Sequence, residues 1–138
     1  MAPTYQQMVF LNLPVNDLDA SKRFFTALGY SINPRFSDEN AASVVISDTI
    51  VAMLLTKPFY ATFTQKEIAD ATKTSEVLIA LSAESREKVD DLVEKAVAAG
   101  GTASEKVQDM DFMYGRSFDD LDGHTWEVVW MDPAAVEG

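Results

Sequence analysis

The sequence predicts an α+β fold made of two βαβββ modules in series. Two observations carry this expectation. Short apolar runs bounded by turn residues recur along the chain, and each half places one amphipathic helix directly after its first strand. The order strand, helix, three strands is therefore met twice, over residues 5–56 and 75–132, with 57–74 between them as a linker or lid. A length of 138 residues suits a single domain spanning both modules.

The elements follow in order. "MVFLNLPV" (8–15) is short, apolar and flanked by polar residues, as a buried strand should be. In "NDLDASKRFFTALGY", Asn16 or Asp17 is placed to cap a helix whose Leu18, Phe24, Phe25 and Leu28 cluster on one side, and Gly29 supplies the left-handed stop. A weaker strand is expected over 31–36. Two more, over 42–48 and 50–56, lie close enough to form a hairpin. The segment 57–74 is mixed in character and long for a connection. "EVLIALSAES" reads as a strand, and "SREKVDDLVEKAVAAGG" as a helix that turns Val89, Leu92, Val93 and Ala96 inward and ends at a glycine pair. "TASEKVQDM", "FMYGRSFDD" and "HTWEVVWMD" supply the last three strands.

Bulk composition narrows the function. A formal net charge of −11 argues against a nucleic-acid partner, which requires clustered Lys and Arg. No stretch is long and apolar enough to span a bilayer, so no membrane association is expected. The N-terminal residues lack the basic start and long apolar run of a signal peptide, and the expected compartment is the cytoplasm. With no cysteine, the chain has no disulfide, thiol nucleophile or thiolate metal site.

One residue breaks the pattern of its element. Glu127 lies among Val and Trp in "HTWEVVW", although strands disfavour Glu and a desolvated carboxylate is costly unless compensated. It faces either solvent or something that offsets this cost.

The stretches "LPVNDLDASKRFFTALGY" and "DLDGHTWEVVW", set within two βαβββ modules, resemble the vicinal oxygen chelate superfamily. That group includes glyoxalase I, extradiol dioxygenases, fosfomycin-modifying enzymes and bleomycin-resistance proteins. The resemblance implies the glyoxalase/bleomycin-resistance fold, a cupped eight-stranded mixed sheet with its reaction centre inside the cup. It also implies a homodimer, because a second subunit often completes the cup. In metal-dependent members the ligands stand on the first and last strands of each module, and these stations fall here on Phe10, Leu54, Leu78 and Glu127. Three of the four are hydrocarbon. A divalent ion needs several N or O donors at about 2.0–2.6 Å, so neither a metal nor another cofactor is expected. The single histidine, His124, falls in the "LDGHT" turn at the rim, and the aspartates around it read as turn formers.

If those four residues line the cup, strand alternation adds Met8, Asn12, Ala52, Thr56, Ala80, Ser82, Thr125, Val129 and Met131. Glu127 then stands in a largely apolar bowl. It is held either protonated or paired, with Arg116 of "YGRSF" as the partner suggested by pattern. Glu127 as general acid or base, with Arg116 or Asn12 stabilising an oxyanion, is one reading; an inherited ligand position tied to Arg116 without chemistry is the other, and Tyr114, with Phe112 and Met113, is placed to form a further, ligand-binding wall of the cup. Phe59, Tyr60 and Phe63 either fold over the cup and stack on a planar ligand or anchor their segment to the core or a second subunit.

Two functions follow as expectations. The first is a small-molecule pocket protein that binds an apolar or aromatic ligand without a metal. The second is a metal-independent lyase or isomerase using Glu127; a metal-dependent lactoylglutathione-lyase-like enzyme ranks behind both.

Overall fold

The structure, a computed structural model, describes residues 5–136. Its contacts divide the chain into two compact units, Met1–Ile68 and Ala69–Gly138.

In the first unit β1 (Val9–Val15) leads into α1 (Leu18–Ala27), followed by β2 (Ser31–Asn33), β3 (Ala41–Val45) and β4 (Ile50–Thr56). The sheet order is β1-β4-β3-β2, with β1 parallel to β4 and the other pairs antiparallel. Asp17 is the cap of α1, its carboxylate accepting from the Ala20 amide at 3.1 Å. The helix ends where Gly29 turns left-handed at φ 105°. There Tyr30 N–H donates to Phe25 O and Gly29 N–H to Thr26 O, the Schellman pattern. Leu18, Phe24, Phe25 and Leu28 are all buried, as their spacing predicts, and the two Phe rings meet edge to face with centroids 5.1 Å apart.

The strand expected over 31–36 stops at Asn33. Pro34 has no N–H to extend the ladder, and the Asn33 side chain accepts from Arg35 N–H at 3.0 Å, which opens a 3-10 turn over Pro34–Phe36. The strand expected over 42–48 likewise ends at Val45, because the amides of Ile46 and Ser47 both donate to Ile50 O in the hairpin turn. Segment 57–74 begins as α2 (Lys57–Tyr60), with Pro58 in its first turn where the missing N–H costs nothing, and continues as a 3-10 turn over Ala61–Phe63. Helix α2 packs against β1 and β4.

The second unit repeats the plan: β5 (Ile79–Ser82), α3 (Arg86–Ala98), β6 (Thr102–Ala103), β7 (Gln108–Met110), β8 (Met113–Asp119) and β9 (Thr125–Met131), then a last turn of helix, α4 (Pro133–Val136). The sheet order is β5-β9-β8-β6, with β7 also on β8 and β5 parallel to β9. Ser85 caps α3 by accepting from Lys88 N–H. Its C-terminus repeats the Schellman pattern, with Gly101 N–H on Ala96 O, Gly100 N–H on Val97 O, and Gly100 at φ 111°. Trp126, Val128 and Phe118 of the sheet and Val89, Val93 and Ala96 of α3 form the buried core.

The chain is thus α+β with βαβββ met twice, as expected, though among the described residues the strands number nine in two sheets rather than eight in one. The additional strand arises because the edge run 102–110 breaks at Ser104, whose hydroxyl accepts from Lys106 N–H at 3.1 Å and bends the chain away from β8.

Candidate functional site

Strand alternation decides which side chains gather. On β9, Trp126 and Val128 are buried on the α3 side, so Thr125, Glu127 and Val129 face the other way, half-buried. Glu127 is flanked in register by Ala80 of β5 and Ser117 of β8. The same face carries Leu78, Gly115 and Gln108, and it opens into a concavity of about 300 Å³ lined by these three with Glu127, Ser117, Val129, Thr125, Ser104 and Lys106, and bordered by Arg116. Among the described residues no hydrogen bond or ion pair reaches the Glu127 carboxylate. Thr125 is already committed, its hydroxyl donating to Asp119 at 2.7 Å.

The expected pair between Glu127 and Arg116 does not form. Arg116 is in register with Val128, so its side chain leaves the sheet on the α3 side, where Nη1 meets Asp90 Oδ1 at 2.9 Å. Tyr114, on the same side, donates its hydroxyl to the same oxygen at 2.7 Å. Arg116 therefore does not stand beside Glu127 as an oxyanion stabiliser, and Tyr114 does not wall the Glu127 face. The bonds from Tyr114 and Arg116 hold the Asp90 carboxyl below the usual carboxylate range, and donation to Asp90 pushes the Tyr114 phenol up. Phe118 held the clue in the sequence: an apolar residue next to "DD" that must enter the core takes Arg116, two positions back, to its own side. Ser117, which the sequence reading missed, follows from the same count, whereas Gln108, also missed, is placed only by the β7–β8 register that sets it across from Gly115.

In the first unit Phe10 and Asn12 share one face with Val51 and Met53. Phe10 is 58% exposed. Leu54 does not join them. It pairs with Leu13 and Ala42 on the α1 side and is fully buried, so its expected place beside Phe10 is corrected. Ala52 and Thr56 move with it. Leu78, by contrast, is 55% exposed and shares the face of Glu127. Phe59 and Phe63 meet edge to face at 5.1 Å, with Tyr60 half-buried and Phe63 68% exposed.

The "LDGHT" turn is a buried polar knot. Asp120 Oδ1 accepts from the amides of Asp122 and His124, each at 3.0 Å, and Oδ2 accepts from the Trp126 indole N–H at 3.0 Å. Burial pushes the Asp120 carboxyl up against the opposing pull of His124 and the Trp126 bond. The knot fixes the start of β9, and with it the direction in which Glu127 points.

The described residues of this fold match known proteins. A family model described as bleomycin resistance protein-like N-terminal matches residues 7–47. A hypothetical protein from S. aureus is 32% identical over 93% of this chain and 95% of that one, with a TM-score of 0.75. A glyoxalase-related enzyme from Fulvimarina pelagi is 22% identical, covering 91% and 88% of the two chains with a TM-score of 0.76. A glyoxalase/bleomycin resistance protein/dioxygenase family enzyme from Burkholderia phytofirmans is 16% identical over 91% and 99%, with a TM-score of 0.74. The chain has the glyoxalase/bleomycin-resistance fold. No curated protein matches it.

The metal of the vicinal oxygen chelate superfamily does not fit the donors of this chain. Phe10 and Leu78 offer hydrocarbon, Leu54 lies under α1, and Glu127 alone cannot complete a coordination sphere. Among the described residues no group of three or more His, Cys, Asp or Glu side chains is placed to hold an ion.

Proposed function

We propose that this protein is a member of the vicinal oxygen chelate superfamily and a pocket protein that binds a small, apolar or aromatic organic molecule on the Glu127 face without a metal. One observation carries the reading: a carboxylate that receives no donor from the described residues stands in a concavity whose floor is Leu78, Gly115 and Val129. Ligand sites are typically apolar surfaces with a few placed polar groups, and an unsatisfied carboxylate favours a molecule that brings the missing donor. The likeness of both modules to one S. aureus chain supports treating residues 1–138 as a single glyoxalase-like domain.

A second reading draws support from Ser117, Gln108 and Lys106 around the same carboxylate. Glu127 would then move a proton to or from a bound carbon or oxygen acid, with these groups orienting the substrate, in a metal-independent lyase or isomerase reaction. Glu127→Gln separates the two readings, since it keeps shape and removes the ionisable group. A fragment titration followed through the Leu78 and Val129 methyl signals gives the affinity, and product analysis of any bound fragment gives the turnover. Binding without turnover supports the pocket protein; turnover that Glu127→Gln abolishes while binding persists establishes the enzyme. Elemental analysis of protein purified without chelator is expected to show no stoichiometric divalent ion, and finding one overturns the metal-free reading.

A further inference from the structure

We infer that the molecule recognised by Glu127 is an organic monocation, a single protonated amine on an apolar body; this rests on reading that face as a ligand site. An ionised carboxylate can accept about four hydrogen bonds, and here the described residues supply none. Arg116 borders the concavity, but its side chain leaves the sheet on the α3 side and its guanidinium is held by Asp90 at 2.9 Å rather than by Glu127. An ammonium group supplies three N–H donors and the opposite charge, and such charge-assisted bonds are roughly twice as strong as neutral ones. The hydroxyl of Ser117, directly across from Glu127 in the β8–β9 register, and the amide oxygen of Gln108 can accept the remaining N–H groups.

The apolar part of the ligand has its own surface. Gly115 lies between Val129 and Gln108, and the absence of a side chain there leaves the floor open beside Leu78. The charge of the whole chain, −11, favours approach of a cation. Lys106, on the turn between β6 and β7, lines the same concavity. Its ammonium opposes positive charge close to it, so the single amine is placed at the Glu127 end and the Lys106 end is left to a hydroxyl or carbonyl.

The test uses three probes of similar shape: 2-phenylethylamine, 2-phenylethanol and 3-phenylpropionate, each titrated at neutral pH and low salt against the full chain, with the Leu78 and Val129 methyl signals as reporters. The amine is expected to bind about tenfold more tightly than the alcohol, the size of a hydrogen bond to a charged group. Glu127→Gln should reduce that preference to about twofold or less while leaving the alcohol's affinity in place. Gly115→Ala provides an independent check. Its new Cβ would make only ordinary contacts, the nearest being Val129 Cγ2 at 3.6 Å, so the fold should tolerate it, and by filling the floor it should weaken amine and alcohol alike. If the alcohol or the carboxylate binds as well as the amine at these methyls, the charge assignment is overturned while the pocket reading survives. If none of the three perturbs them, the pocket reading itself fails, and the amine assignment with it.

Discussion

Gly123 sits at φ 87°, and a Cβ there would lie 2.8 Å from Thr72 N and 2.9 Å from the Ala71 carbonyl. Left-handed backbone costs an ordinary residue on the order of 1–2 kcal/mol, and the collision adds to this because backbone, unlike the end of a flexible side chain, cannot swing away. Gly123→Ala is therefore expected to lower the melting temperature by about 5 °C or more in a thermal scan, whereas Gly29→Ala, with nothing within 4 Å of its Cβ, should show the dihedral cost alone. Equal losses in the two variants would contradict the close approach of the 71–72 backbone to the turn. At this scale the sequence was partly legible. The "DG" pair announced a turn, but that Asp120 would be buried with three donors on its carboxylate, one of them the Trp126 indole, depends on neighbours brought in by folding.

Two ties fasten α3 to the sheet beneath it. In the first, Asp90 receives Tyr114 and Arg116. Because the folded Asp90 carboxyl is depressed, the stability it contributes is present above its unfolded value, about 3.9, and is lost as pH falls through the depressed value. The Tyr114 phenol is raised, so its contribution holds below about 10 and is lost as pH climbs through the raised value. The stability gap between wild type and Asp90→Asn in urea melts should thus be constant between about pH 5 and 8 and shrink below about pH 4; a gap that widens in acid would contradict the assignment. In the second tie, Arg86 in the first turn of α3 bonds Asp109 at 2.6 Å and the Met110 carbonyl, with its guanidinium 5.3 Å from the Tyr114 ring and 5.1 Å from that of Trp130. This holds β7, a three-residue strand exposed throughout, and β7 presents Gln108 to the Glu127 face. Arg86→Ala should speed amide exchange over residues 108–113 by about tenfold while leaving β9 protected, with Arg86→Lys in between. Uniform exchange across the sheet would show that Arg86 acts on global stability instead.

Across the whole molecule the two modules carry the same devices: a capped helix after the first strand, a Schellman stop at glycine, and a parallel pairing of first and last strands. The homodimer remains a proposal, motivated by the exposed Phe10 and Leu78 and expected in light scattering as about twice the 15.2 kDa chain; a mass of one chain would refute it. Among the described residues no helix is long and apolar enough to cross a membrane. The amino-acid order by itself determined the element string, the α1 cap, both glycine stops, the β4 boundaries and the inward position of Phe24, Phe25, Val89 and Val93, because these signals are local, set by residues a turn or a strand apart. Only the tertiary structure decided which residues share a face. In the nearly continuous apolar run "IVAMLLT" there is no alternation to reveal that Leu54 belongs under α1, and the parallel register of β1 with β4 joins residues far apart in the chain, Phe10 with Val51 among them. For Arg116 the side of the strand was legible from Phe118 two positions on, but that Asp90 would meet it there was decided by the packing of α3 on β8.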